Sequence, residues 1–144
     1  MNYDINNVRI NTQQFTCSYI IELARKNLLC FAHDNEWFFK NNKKSLFIES
    51  MFMRIPIQSF YLHENKDGSY NILDGNNRIH TIVEFANNHL TLSGLEVEKE
   101  CNEHCYSELG RKNINMFLRT IFTMHILDVR HDENVVFNII NRIK

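Results

Sequence analysis

The chain has 144 residues, with 16 Lys and Arg against 17 Asp and Glu and a formal charge of −1. That length suits a single domain over residues 1–144 without room for a second catalytic module, and the charge balance excludes a histone-like polycation or a polybasic membrane binder. Four Gly and one Pro exclude a turn-rich β-sandwich or a disordered linker, so a helix-rich α+β fold with a small mixed sheet is expected.

No run of 18 apolar residues is present, and Met1-Asn2-Tyr3-Asp4 lacks the basic and apolar stretches of a secretory signal. Thr12 is placed to cap a helix reaching about Asn27, because Phe15, Tyr19, Ile20, Leu23 and Ala24 recur at helical spacing. Leu28 to Asn42 carries the aromatic run Trp37-Phe38-Phe39, which reads as core material. A second helix starts near Lys43, carries Leu46, Phe47, Ser50, Met51 and Arg54, and is stopped by Pro56. Ser59 to His63 alternates as a strand, Asn65-Lys66-Asp67-Gly68 is a turn signal, and Ser69 to Leu73 is the returning strand. After Asp74-Gly75, helical spacing resumes from Asn76 to Asn88 through Ile79, Ile82, Val83 and Ala86. Leu90 to Val97 reads as a short extended stretch around Gly94. Ser107 caps a helix to about Thr120, Met124 to Val129 is a strand, and Glu133 to Ile143 is a last helix.

The junction from Tyr70 to Ile82 holds the densest chemistry. A strand, an Asp-Gly turn and a polar first helical turn ending in Arg78 make an anion cradle, since a helix start offers unpaired N–H groups. Gly75 admits close approach, the Asn76 and Asn77 amides donate, and the Arg78 fork suits phosphate oxygens. Asp74 would repel a polyphosphate unless Mg²⁺ bridged the two, so Asp74 is either a metal ligand or a helix cap. The same residues also make ordinary turn and cap chemistry with a solvated arginine, and local sequence leaves both readings open.

Elsewhere, Cys101, His104 and Cys105 supply three soft ligands without a second pair at finger spacing, which argues against zinc. The four cysteines are too sparse for a disulfide scaffold and read as free thiols of an intracellular protein, cytoplasmic or nuclear. His80 and Glu84 share a helical face, either as an acid–base pair beside the cradle or as a surface pair. Arg111, Lys112 and Arg119 share one helix and suit either a nucleic-acid backbone or solvent. Asp74 with Glu84 around a metal would make a small nuclease. His131-Asp132-Glu133 reads as the start of the final helix. The apolar residues Val136, Ile139, Ile140 and Ile143 of that helix suit a homodimer contact.

The stretch Leu46 to Ile57, then Phe60-Tyr61-Leu62, then Asp74-Gly75-Asn76-Asn77-Arg78-Ile79-His80-Thr81-Ile82 resembles the N-terminal domain family of GmrSD-type restriction enzymes. That family typically reads "LIESILLGIPIP", a short strand, then "DGQQRLTTI". Phe85 with Asn87-Asn88, Leu92 to Leu95, Tyr106 to Leu109 and Val136 to Arg142 continue the match, which runs from about Lys44 to Arg142. The resemblance implies a ParB/sulfiredoxin-like fold and nucleoside triphosphate binding and hydrolysis in systems that restrict modified DNA. It places Asp74, Gly75, Asn76, Asn77, Arg78 and Thr81 at the nucleotide. Asp74, on Mg²⁺, with Asn77 and His80 would serve turnover. Asn76 and Asn77 replace the family's glutamines, His80 replaces a threonine, and the upstream Gln-Arg has no counterpart in Ala32-His33-Asp34. Sulfiredoxin-type reduction needs a cysteine where Asn76 stands. The nuclease module of such enzymes finds no room in this length, so DNA cleavage is expected to need a separate partner. The alternative is a non-catalytic module that docks on DNA or protein without turnover.

Overall fold

The computed structural model describes residues 9–31, 40–128 and 133–143. Its sheet is built from β1 (Ile10–Thr16), β2 (Leu29–Cys30), β3 (Phe60–Glu64), β4 (Tyr70–Asp74) and β5 (Ile121–Leu127), in the order β1-β5-β3-β4-β2. β1 runs antiparallel to β5, β3 parallel to β5 and antiparallel to β4, and β2 parallel to β4. The sheet is mixed, as expected. Phe122, Met124 and Ile126 of β5 point to one face, and Phe15, Phe60, Leu62 and Ile72 on the neighbouring strands continue it.

Four helices gather over that core: α1 (Cys17–Arg25), α2 (Asn41–Phe52), α3 (Asn76–Ala86) and α4 (Arg111–Arg119), with α1 and α2 each touching α3 and α4. Edge-to-face rings pack within each layer, Phe60 to Phe122 at 5.4 Å in the sheet and Phe85 to Phe117 at 5.2 Å between α3 and α4. Each buried phenylalanine contributes roughly 1.5–3 kcal/mol of transfer free energy. A fifth helix, α5 (Glu133–Ile143), contacts β4 through a helix that buries Val135 and Val136 and leaves Phe137 exposed.

Several boundaries differ from the sequence reading. Ile10 to Thr16 is a strand, and the helix cap is Thr16, whose Oγ1 accepts from Tyr19 N–H at 3.1 Å. Phe15 continues the helical spacing by coincidence; pairing with β5 along seven residues overrides it. The helix assigned to Ser107–Thr120 splits into a 3₁₀ turn at Tyr106–Glu108 and α4, because Cys105 and Glu108 close a capping box ahead of Gly110. β5 begins three residues before Met124, at Ile121. Leu90 to Val97 forms no strand; Leu90, Leu92 and Leu95 bury their side chains as a loop. That loop is pinned by Glu49, a buried carboxylate of α2 that accepts N–H from Val97 and Glu98, each at 2.9 Å. The Trp37-Phe38-Phe39 run, Val129 and His131-Asp132 lie outside the described residues.

Helix α2 ends in a left-handed turn. Ile55 N–H returns to Ser50 O at 3.0 Å and Arg54 N–H to Met51 O at 3.3 Å, a Schellman closure with Arg54 at φ +58°. Glycine or asparagine is the usual occupant, as Asn27 and Asn88 are after α1 and α3.

Candidate nucleotide site

The strand-to-helix junction is set by one extra residue. Tyr61 pairs with Asp74 but Leu62 pairs with Ile72, so Leu73 is a bulge that turns Asp74 toward the start of α3. Gly75 follows at φ +112°, and a Cβ on it would run into the buried Phe60 ring. Glycine is therefore demanded both by backbone conformation and by the ring beneath it. No side chain caps α3 among the described residues.

Arg78 is held from three sides. Its Nη1 donates to Gln58 O, its Nη2 to Ser59 O at 3.3 Å, and its guanidinium carbon sits 3.9 Å over the Phe60 ring. Asp74 Oδ2 lies 3.8 Å away, at the outer limit of an ion pair. The side chain is 15% exposed, and this burial lowers its pKa, a shift that Asp74 opposes. The guanidinium thus braces the entry to β3 against α3. The solvated arginine of the sequence reading is not what the fold builds, and a phosphate would meet only the donors left over.

The other residues divide sharply. Asp74 is about one-third exposed. Asn76 reaches back 3.5 Å to Ile72 O. Asn77 Oδ1 is buried with no hydrogen-bond partner among the described residues, a condition that costs roughly 1–3 kcal/mol unless something donates to it. Thr81 is fully buried and its Oγ1 donates to Asn77 O at 2.7 Å, so it supports the first turn of α3 instead of facing a ligand. His80 Nδ1 lies 3.4 Å from Glu84 Oε1, which Lys44 Nζ already holds at 2.8 Å. Burial lowers the His80 pKa; Glu84 opposes this and Lys44 adds to it. Glu84 lies eight residues into the helix, about 12 Å beyond Asn76, so it cannot share a cation with Asp74 and the two-carboxylate nuclease fails on geometry.

Cys101, His104 and Cys105 do not assemble as a ligand trio. Cys101 instead gathers with Glu98 and Glu100, their ligand atoms within 4.8 Å of one another, while Cys105 Sγ turns to Glu108 Oε1 at 3.2 Å. Burial and the neighbouring carboxylates push the Cys101 thiol up. The four cysteines are unbridged. Sequence reasoning missed the Glu49 clamp and the carbonyl partners of Arg78, since both depend on segments distant in the chain.

Residues 34–143 match the family described as GmrSD restriction endonuclease, N-terminal domain. The chain belongs to that family. The mixed α+β architecture is consistent with its ParB/sulfiredoxin-like fold. No curated protein and no solved structure matches the chain. Among the described residues no helix is long and apolar enough to cross a membrane.

Proposed function

We propose that this GmrSD-family domain binds a nucleoside triphosphate at the start of α3, as a nucleotide-responsive element of a restriction system. The observation that carries the reading is the uncapped first turn after left-handed Gly75; the orphan Asn77 Oδ1 beside it is an acceptor, suited to a base N–H or a Mg²⁺-bound water rather than to phosphate. Main-chain N–H groups of Asn76, Asn77 and Arg78 would hold phosphate oxygens, while the Arg78 guanidinium keeps the turn in shape. Asp74 fits Mg²⁺, a cation that commonly takes one protein carboxylate and completes its shell with phosphates and water. Bound there, Mg²⁺ would neutralise the repulsion between Asp74 and the phosphates.

Calorimetric titration with Mg²⁺ complexes of the nucleoside triphosphates tests the reading. Wild type should give saturable heat, weakened at least about tenfold by Asp74→Asn and by Asn77→Ala. Absence of heat with every triphosphate, or equal affinity in both variants, sinks it.

The second reading, binding without turnover, is favoured by specific contacts. Lys44 occupies the carboxylate that would make His80 a base, and two backbone carbonyls occupy the guanidinium that would stabilise a transferring phosphoryl group. Under the hydrolytic reading Asn77 orients water, Asp74 carries Mg²⁺ and His80 relays a proton. Sustained phosphate release, alone or with DNA, would exclude the non-catalytic reading.

A further inference from the structure

A cleft of about 290 Å³ opens between the segment leaving α2 and the end of α4, lined by Arg54, Ile55, Pro56, Ile57, Met116 and Arg119 among others. Among the described residues no Asp or Glu lines it. Neither the Arg54 nor the Arg119 side chain has a hydrogen-bond or ion-pair partner among the described residues, and both residues are exposed. Ile55 and Ile121 at its rim are 45% and 58% exposed. Arg119 has a local reason to be there, because a cation suits a helix C-terminus. Arg54 has none: it occupies a left-handed position that glycine or asparagine would fill without strain. An aliphatic floor ringed by guanidiniums and free of aromatic rings suits a polypeptide better than a nucleic acid, which needs stacking platforms.

The complementary surface is on the same chain. Residues 96–108 contain five glutamates against one lysine, and Val97, flanked by Glu96 and Glu98, is 59% exposed. Glu98 and Glu100 crowd each other closely enough that Glu100 raises the Glu98 pKa, while Lys112 acts on both from the first turn of α4. The acidic segment therefore sits near the beginning of α4 and the cationic cleft at its end, separated by roughly 10 Å at 1.5 Å per residue.

We propose that this cleft receives the Glu96–Glu100 segment of a second copy of the chain, in a two-fold dimer with the α4 helices antiparallel. A two-fold axis across α4 sets the acidic end of each copy on the cationic end of the other, so both contacts form at once. Val97 enters the aliphatic floor and the glutamates meet Arg54 and Arg119. The near-zero net charge leaves no bulk repulsion to oppose association. This contact is distinct from the α5 surface that the sequence suggested for a dimer.

Sedimentation of the full chain over a concentration series, at low and high salt, tests the pairing. Wild type should pass reversibly from monomer to dimer, with a dissociation constant that rises at least about tenfold between low and high salt. Arg119→Glu alone and Glu100→Arg alone should each weaken self-association at least about tenfold, and an equimolar mixture of the two variants should recover the dimer. Arg54→Gly should weaken it while raising the melting temperature, which separates loss of contact from loss of fold. A wild type that stays monomeric to its solubility limit overturns the proposal. So does a dimer that either charge reversal leaves intact, or one that mixing fails to restore.

Discussion

Arg78 and Arg54 occupy opposite conditions in one small domain. Arg78 lies under the turn between β4 and α3, stacked on Phe60 and bonded to two backbone carbonyls. Arg54 stands exposed at a left-handed position, its side chain without a partner among the described residues. The sequence motif draws the eye to Arg78, yet its guanidinium is largely consumed by the fold. Arg54, in the Leu46 to Ile57 stretch that leads into β3, keeps its full side-chain donor capacity for something external. A guanidinium bonded inside the molecule is a structural part, and one that strains the backbone while bonding nothing is available for recognition.

The sharpest way to break this comparison is at Gly75. Gly75→Ala forces a Cβ into the Phe60 ring and a side chain onto φ +112°. Overpacking and backbone strain together should cost roughly 2–5 kcal/mol in urea unfolding. A loss under 1 kcal/mol would mean the turn can relax, and the brace is softer than drawn. Next is Arg78→Ala, which abandons two carbonyls and a ring stack; a loss of roughly 2–4 kcal/mol is expected even without nucleotide. Arg78→Lys should recover only part of it, because an ammonium lacks the planar fork. Were Arg78→Ala to unfold like wild type while nucleotide binding vanished, Arg78 would be a ligand residue after all.

The opposite sign is expected at Arg54. Arg54→Gly relieves a left-handed residue and should stabilise the fold by roughly 0.5–1 kcal/mol, net of the extra unfolded-chain entropy of glycine. Chemical denaturation of the two proteins side by side reads this directly. No gain would indicate an unseen compensating contact and weaken the assignment of Arg54 to recognition.

The junction was legible because its signals are local. Alternation in Phe60-Tyr61-Leu62, the Asp-Gly pair, and helical spacing from Ile79 to Ala86 all act within a few residues, and the structure places α3 and the hairpin where they point. What Arg78 touches was not legible, since the Gln58 and Ser59 carbonyls arrive through β3 pairing with β4. The Glu49 clamp was hidden for the same reason, with its two N–H donors 48 and 49 residues onward. β1 misled because Phe15 satisfies a helix period and a strand period at once, and only β5 decides between them. The cleft by Arg54 has no local signal except an arginine just before Ile-Pro.

The smallest expected effect concerns His80, where three charges compete. Burial beside Phe31, whose ring lies 6.0 Å from the imidazole, lowers the His80 pKa below its ordinary 6.5. Glu84 would reverse that shift, but Lys44 holds the same carboxylate oxygen and repels an added proton. The unfolded chain therefore binds more protons than the folded one just below pH 6.5, so stability contributed by neutral His80 is present above that pH and lost as pH falls through it. Lys44→Met frees Glu84 for His80 and should raise the His80 pKa toward its unfolded value, shrinking the acid loss of stability. An NMR titration of the His80 ring in both proteins checks this. An unmoved midpoint would show that burial alone sets the proton on His80, and that Lys44 has no hold on the face of α3 next to the Gly75 turn.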